Sequence, residues 1–150
     1  MTVTPGDLRY PVLCLSERAG IAIIRDAASF GRSAAPLVWG ARFYDGLRVV
    51  DASGALHDVV RAEVVRPASA AGQAVARLFG TAVRVGVELR PVGPAVLAEL
   101  RARVLAEIDD DPEAVEEMTG RPPPWWREAL ERAADAGALV RAAAAGAPGG

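Results

Sequence analysis

The chain contains no lysine, no asparagine, one cysteine and one histidine among its 150 residues. A lone cysteine excludes an internal disulfide framework and is typical of a reducing compartment. One histidine and one cysteine fall short of a zinc site, which takes about four protein or water ligands. Neither the phosphate-binding motif GxxxxGK[ST] nor the dinucleotide motif GxGxxG occurs. We therefore expect a protein without a metal or a cofactor.

Targeting and membrane-spanning signals are also missing. Residues 1–8 have neither a basic start nor an apolar core, so no secretory signal is predicted. Arginine or aspartate interrupts every apolar run before it reaches membrane-spanning length. The sequence thus predicts a cytoplasmic location and no membrane partner.

All seventeen basic residues are arginine, and the net charge is −2. Nucleic-acid binding calls for a basic stripe with aromatic platforms, whereas these arginines are dispersed along the chain. We expect no nucleic-acid partner. A hydrophobic content of 51% with 24% charged residues is typical of a folded domain. The chain is predicted to form one α+β domain over residues 1–141, followed by a flexible Ala/Gly/Pro tail over 142–150.

Turn residues and apolar patterning predict about five strands in a mainly antiparallel sheet. Residues 51–54, Asp-Ala-Ser-Gly, lie between two β-rich runs and predict a hairpin. Apolar runs at 10–15 and 20–25 predict an antiparallel pair, and strict alternation over 81–90 predicts the last strand. In the second hairpin arm, one face is expected to carry Leu56, Val60, Ala62 and Val64.

Helical spacing dominates the C-terminal part of the chain. Leu97, Leu100, Val104 and Ile108 form one apolar stripe. Asp111-Pro112-Glu113 predicts a helix start and Gly120 its end. A further helix is predicted from about residue 125, with a break near Gly137, and an earlier one over 68–80. Strands first and helices last predict a sheet with C-terminal helices packed on it.

A run of acidic residues is the sharpest local feature of this helical region. No basic residue lies between positions 103 and 121. Acids near the start of a helix interact favourably with the helix dipole. Part of the run is therefore explained as a solvated helix terminus. The other interpretation is a surface that attracts a basic protein. The candidate partner-binding carboxylates are Glu107, Asp109, Asp110, Asp111, Glu113, Glu116 and Glu117.

Trp125 and Trp126 follow three consecutive prolines, which allows two interpretations. The segment could be an extended proline stretch that another protein recognises. The favoured interpretation is a helix starting at Pro124, with one or both tryptophans packed on the sheet. Because tryptophan is enriched at interface hot spots, an exposed member of the pair would be a candidate anchor.

His57 is the only imidazole with carboxylates nearby in sequence, at Asp51 and Asp58. Adjacent strand residues point to opposite faces, so His57 and Asp58 should diverge. We expect an exposed hairpin histidine without a catalytic role, and no enzymatic activity. Cys14, in an apolar run, is expected to be a small core residue.

The order of these features resembles a family of small uncharacterised bacterial proteins of the immunity-protein type, which is associated with polymorphic toxin systems. The similar segments are Tyr10-Pro11-Val12-Leu13, Gly20-Ile21-Ala22-Ile23, Phe43-Tyr44-Asp45-Gly46-Leu47, Val50-Asp51-Ala52-Ser53-Gly54, Val83-Arg84-Val85-Gly86-Val87-Glu88-Leu89 and Leu97-Ala98-Glu99-Leu100. The resemblance implies a non-enzymatic cytoplasmic protein that blocks a toxin by occluding its active surface. A basic toxin domain such as a nuclease would suit the acidic run. The resemblance supplies no binding residues of its own.

Two other functions are compatible with the sequence. One is an accessory or housekeeping domain that forms a homo-oligomer through an exposed strand edge. The other is a hydrolase-type enzyme built around His57. The leading prediction is the immunity-type binding protein, with the acidic run and Trp125 or Trp126 as its contact residues.

Overall fold

The computed structural model describes residues 1–17, 20–30, 32–33, 44, 46–65 and 83–145. Within these ranges one six-stranded sheet has the order β2-β1-β4-β5-β6-β3, and its strand pairs are antiparallel. The strands are β1 Val12–Ser16, β2 Gly20–Ile24, β3 Arg32–Ser33, β4 Arg48–Val50, β5 Ala55–Val65 and β6 Val83–Pro94. The predicted antiparallel sheet is confirmed, and the additional strand, β3, is only two residues long.

The C-terminal region of the described chain is helical, as the apolar stripe predicts. The helices are α1 Ala27–Phe30, α2 Leu97–Asp110, α3 Pro112–Thr119, α4 Pro123–Arg132 and α5 Ala136–Ala144, and a short 3-10 turn spans Pro5–Asp7. The α+β class with C-terminal helices is thereby confirmed. The helix predicted over 68–80 lies outside the described residues, as do positions 146–150 of the predicted tail.

Apolar side chains pack on both faces of the sheet. On one face, Leu13, Ile21 and Val50 meet the buried stripes of the C-terminal helices, including Val104 and Trp126. On the other face, a second cluster of buried side chains is formed by Leu8, Val12, Cys14, Ala22, Phe30, Tyr44, Leu47, Val49, Val87 and Leu89. The central strands are therefore buried on both sides, which explains their nearly continuous apolar sequences.

The predicted hairpin joins β4 to β5, and Asp51 organises its turn. Gly54 has a φ of +87°, a left-handed conformation that suits glycine. The Asp51 carboxylate is buried and accepts hydrogen bonds from Ser53 N at 2.9 Å and Ala55 N at 3.2 Å. Ser53 Oγ donates to the same oxygen at 2.5 Å. The turn is thus held by one buried acid as well as by its glycine.

The prediction that one face of β5 carries Leu56, Val60 and Ala62 is wrong. Leu56 packs against the helical cluster, Ala62 against the opposite cluster, and Val60 is 46% exposed. The register with β6 is irregular at 56/57 and again between 59 and 61. Val60 is an extra residue on β5 and shifts the alternation of that strand by one, whereas at 56/57 the extra residue is Val92 on β6. A simple period of two therefore fails along β5.

Local signals at the ends of α3 and α4 agree with the structure. The Asp111 carboxylate accepts a hydrogen bond from Ala114 N at 3.1 Å, and Gly120 ends α3 with a φ of +75°. Helix α4 begins at Pro123, one residue before the start at Pro124 in the favoured interpretation of the tryptophan segment. Helix α5 extends to Ala144 and buries Ala143, so residues 142–144 of the predicted tail are helical.

Gly137 lies inside α5 and not at a helix break. The break comes earlier, where Asp135 caps the helix by accepting a hydrogen bond from Ala138 N at 2.8 Å. Gly137 faces the β4–β5 turn so closely that an added Cβ would lie 2.9 Å from Ala52 O and 3.0 Å from Gly54 N. Both neighbouring atoms are backbone, so glycine is required for this contact between the helix and the turn.

The Gly137→Ala variant is expected to lower the free energy of unfolding by about 1–3 kcal/mol, a typical cost of overpacking. Helix propensity alone predicts the opposite sign, because alanine is favoured over glycine by roughly 1 kcal/mol inside a helix. Urea denaturation monitored by circular dichroism measures the difference. A more stable variant would contradict the close contact.

Several arginines hold the C-terminal helices in place by donating hydrogen bonds to backbone carbonyl oxygens. Arg103 reaches Ser16 O at 2.6 Å, and Arg141 bonds to Ala52 O, so both link helices to the sheet. Arg121 donates to Ala143 O at 3.1 Å and Arg25 to Ala144 O at 3.3 Å. Cations at a helix C-terminus satisfy its last carbonyls and favour its dipole. Dispersed arginines therefore have structural roles here.

Candidate functional site

The acidic segment, residues 107–117, runs from the last turn of α2 through most of α3. The side chains of Asp109, Asp110, Asp111, Glu113, Glu116 and Glu117 are exposed. Glu107 is half-buried, with 19% of its side chain exposed. The turn between the two helices thus brings the seven predicted carboxylates into one continuous region, and six of them face solvent.

Part of this segment stabilises the helices themselves. Asp111 is the N-cap of α3, and Glu113 lies in the first turn, where the positive end of the helix dipole favours an acid. The structure therefore confirms the helix-terminus interpretation for these two residues. Asp110, Glu116 and Glu117 have no such role in the described contacts.

Arginine compensates only a small part of the negative charge. Arg103 lies 3.0 Å from Glu107, and Arg127 lies 3.4 Å from Asp109. In the part of the chain that the structure describes, no arginine forms an ion pair with the other five carboxylates of the segment. The segment consequently keeps five carboxylates without an ion-pair partner among the described residues, most of them on or at the start of α3.

The two tryptophans lie in different environments. Trp126 is fully buried in the helical cluster, and its Nε1 donates to Thr119 Oγ1 at 3.0 Å. Trp125 is partly exposed, and the guanidinium carbon of Arg121 lies 4.8 Å from the centroid of its ring. Trp126 is thus a core residue of the native state, and Trp125 is the member of the pair that can touch a partner.

Trp125 borders a shallow groove of about 460 Å³ between α4 and α5. The groove is lined mainly by alanines together with Leu139, and the ion pair between Arg132 and Glu128 lies at its side. This lining would suit an apolar surface of a partner, and no group in it would select a more specific ligand.

A second groove, of about 340 Å³, lies between β1, β4 and the first turns of α2. Its lining includes Glu17 and Glu99, two acids that the sequence analysis did not select. They are far apart in the chain, and no motif surrounds either one. Only the packing of α2 over the sheet brings them to the same groove, so no sequence signal was available to find them.

His57 is buried, with 7% of its surface exposed, so the prediction of an exposed hairpin histidine is wrong. It is paired in register with Val49, which places it on the face of the second cluster. Its Nδ1 is buried and has no hydrogen-bond partner within the described ranges. Neither of the two grooves is lined by His57.

His57 and Asp58 diverge as expected. Asp58 lies on the opposite face, 3.2 Å from Arg48 Nε and 3.4 Å from Arg90 Nη2. The carboxylate nearest in sequence is therefore engaged by arginines from both neighbouring strands. His57 has no partner there to orient it for proton transfer.

Cys14 is a core residue, as expected. It is fully buried in the second cluster, and burial raises the pKa of its thiol, which disfavours the reactive thiolate. Within the residues that the structure covers, no three His, Cys, Asp or Glu side chains come together in a way that could hold a metal ion.

Comparisons with family models, with curated proteins and with solved structures gave no match to this chain. Among its described helices, none combines the length and apolar character needed to cross a bilayer.

Proposed function

We propose that the protein is a non-enzymatic, immunity-type binding protein, which neutralises a cognate bacterial toxin by occluding the toxin's active surface in the cytoplasm. The observation that carries the proposal is the acidic segment, in which Asp110, Asp111, Glu113, Glu116 and Glu117 are exposed without an arginine partner among the described residues. The resemblance of its sequence segments to immunity proteins supports the same conclusion.

Electrostatics explains how such a segment would act. A cluster of unpaired carboxylates attracts a basic surface over a distance of roughly 10 Å at moderate ionic strength. Complementary charge raises association rates and selects against acidic partners. A basic domain such as a nuclease, whose own active surface binds polyanions, is the class of toxin that fits. Trp125, partly exposed on the next helix, is the proposed apolar contact.

The charge-reversal variant D110R/E117R is expected to slow association with the partner by about tenfold or more at low salt, since charged surfaces act mainly on the association rate. The difference should shrink as salt is added. Both positions are exposed and neither is a helix cap, so the fold should be retained. Stopped-flow or surface plasmon resonance measurements give the rate.

The matched control is E88R/E131R, which changes the net charge equally at two exposed positions outside the acidic segment. To obtain the partner, wild-type and both variants are used as baits in the native host, and the captured proteins are compared. The proposal expects a basic protein that wild-type and control retain and D110R/E117R loses. Equal capture by all three baits would contradict the role of the segment.

Neutralisation is then tested directly. The captured protein, or its C-terminal domain, is expressed in a bacterial host with and without this chain. Growth arrest by the partner alone, relieved by co-expression of wild-type, is the expected result. A partner that is harmless when expressed alone would refute the immunity assignment while leaving a binding function.

A homo-oligomer is the competing proposal, and exposed apolar residues favour it. Val60 on β5 and Val92 on β6 are 46% and 51% exposed on neighbouring strands. Light scattering of the purified chain separates the two proposals. A stable dimer that the V60E/V92E variant dissociates, with no charge-dependent partner captured, would support the accessory-domain function.

A further inference from the structure

The groove beside α2 has an apolar floor. Leu15 and Val50 from the sheet meet Leu56 and Leu100 there, and Val96 forms part of the wall. Its volume of about 340 Å³ is at the lower end of the range for binding sites, which is roughly 300–1,000 Å³. It has room for one long side chain with an apolar stem, and not for a large cofactor.

The two arginines that line the groove are already engaged. Arg103 Nη2 donates to Ser16 O at 2.6 Å and lies 3.0 Å from the Glu107 carboxylate. Arg48 Nε lies 3.2 Å from the Asp58 carboxylate. Because each guanidinium has an acidic partner, its positive charge is compensated, and the described lining of the groove holds no free cation. Arg103 Nε is buried without a hydrogen-bond partner among the described residues, so one N–H of this charge-compensated guanidinium remains unpaired there.

The two acids in the lining are not compensated. Neither Glu17 nor Glu99 forms an ion pair with any arginine in the described ranges, and both are exposed. The Glu17 carboxylate lies against Gly46, where an added Cβ would be 3.0 Å from Oε2. The dipole of α2 explains an acid at position 99 but not one at position 17.

We propose that this groove receives an arginine side chain of the basic protein partner. The aliphatic stem of that arginine packs on the apolar floor, and its guanidinium pairs with Glu17 and Glu99. Arginine suits both parts, because its stem buries readily and its planar head forms strong, directed bonds with carboxylates. This inference rests on the proposed function and names a contact of it that lies outside the acidic segment.

The test uses the full chain and a capped amino acid, N-acetyl-arginine amide, in an NMR titration. The expected result is saturable shifts at the Gly46 and Val96 amides and the Leu56 methyl groups. The matched probe is N-acetyl-citrulline amide, which has a similar shape but no charge. Loss of a charged hydrogen bond corresponds to about tenfold or more in affinity, so citrulline should bind at least that much more weakly.

Variants separate the groove from general charge. E17Q/E99Q is expected to weaken arginine binding by about tenfold or more, and the single variants E17Q and E99Q by less. The control E88Q/E131Q removes as many charges elsewhere and should bind as wild-type does. Unchanged NMR shifts remote from the groove confirm that each variant is folded.

Three outcomes with the capped probes would overturn the inference. These are no saturable shift with the arginine probe, equal binding of citrulline, and equal binding by E17Q/E99Q. Agmatine provides a further arm: if this free guanidinium compound bound more than about tenfold tighter than the capped arginine, the occupant would be a small molecule and not a protein side chain.

Failure of this inference is distinguishable from failure of the proposed function. If D110R/E117R loses the partner while E17Q/E99Q keeps it and no arginine probe binds, the groove assignment fails and the proposed function stands. If the arginine probe binds in the groove but no charge-dependent partner is captured, the proposed function fails and the guanidinium specificity of the groove stands.

Discussion

Replacing Trp126 with alanine is expected to lower the free energy of unfolding by about 3–5 kcal/mol, the typical cost of removing a buried aromatic side chain. Trp126 is fully buried where α2, α4 and α5 meet the sheet, and it lies in the cluster that contains Val104, Leu130 and Leu139. The variant also leaves Thr119 Oγ1 without its indole donor. Urea denaturation monitored by circular dichroism gives the change.

Trp125→Ala is the matched control, since the same residue type is removed one position earlier on the same helix. Trp125 is partly exposed; it packs at the edge of the same cluster, and its ring also contacts Trp126 and the guanidinium of Arg121. Because part of its surface stays in solvent and the cation–π contact is worth only about 0.5–1 kcal/mol, the loss should be smaller than for Trp126→Ala. Equal losses from both variants would refute the assignment of Trp126 to the core.

Asp51→Ala is expected to lower the free energy of unfolding by about 2–4 kcal/mol, because several backbone donors lose a charged acceptor in a buried turn. The carboxylate accepts from Ser53 N at 2.9 Å, from Ala55 N at 3.2 Å and from Arg9 N at 3.4 Å. The bonds from Ser53 and Ala55 hold the β4–β5 turn itself, and the bond from Arg9 joins it to the segment that precedes β1. Chemical denaturation measures the loss, and amide exchange should rise at Ser53 and Ala55.

Asp58→Ala provides the comparison within the same hairpin. Asp58 bonds only to the exposed side chains of Arg48 and Arg90 in the described contacts, and ion pairs of this kind contribute about 0–1 kcal/mol. The two aspartates differ in burial and in the type of their donors. If both variants lost the same stability, the buried hydrogen bonds of Asp51 would not be the cause.

Sequence patterns predicted the elements whose signals are local. The cap at Asp111, the helix end at Gly120 and the turn at residues 51–54 each depend on a few neighbouring residues, and the structure has all three. The alternation through Val87 and Leu89 likewise gave the correct buried face of β6. Such signals act within one turn or one strand, so they can be recognised without knowing the tertiary contacts.

Errors arose where a distant element changed the environment of a residue. His57 is buried because the second cluster covers the face of the sheet that the hairpin was expected to leave open. Gly137 resembles a helix break in the sequence, but its role is a close contact with the backbone of Ala52 and Gly54. The irregular register of β5 with β6 depends on both strands together and not on either alone.

The candidate site shows the same division. The acidic segment could be located from its composition, since its seven carboxylates lie within eleven positions of the chain. Which of the two tryptophans is buried could not be predicted from the sequence. They are the same residue type at adjacent positions of one helix, and only the tertiary contacts distinguish them. The groove with Glu17 and Glu99 was also inaccessible to sequence reasoning, as it forms only when α2 packs across β1 and β4.

By itself, the sequence determined the class of the fold, the order of the longer strands and the C-terminal helices, both ends of α3 and the position of the negative charge, because each follows from residue type and short-range spacing. Tertiary structure alone decided which faces are buried, which tryptophan lies in the core and which distant acids share a groove. The physical reason is that burial and charge compensation depend on contacts between residues far apart in the chain, and spacing along the sequence does not specify those contacts.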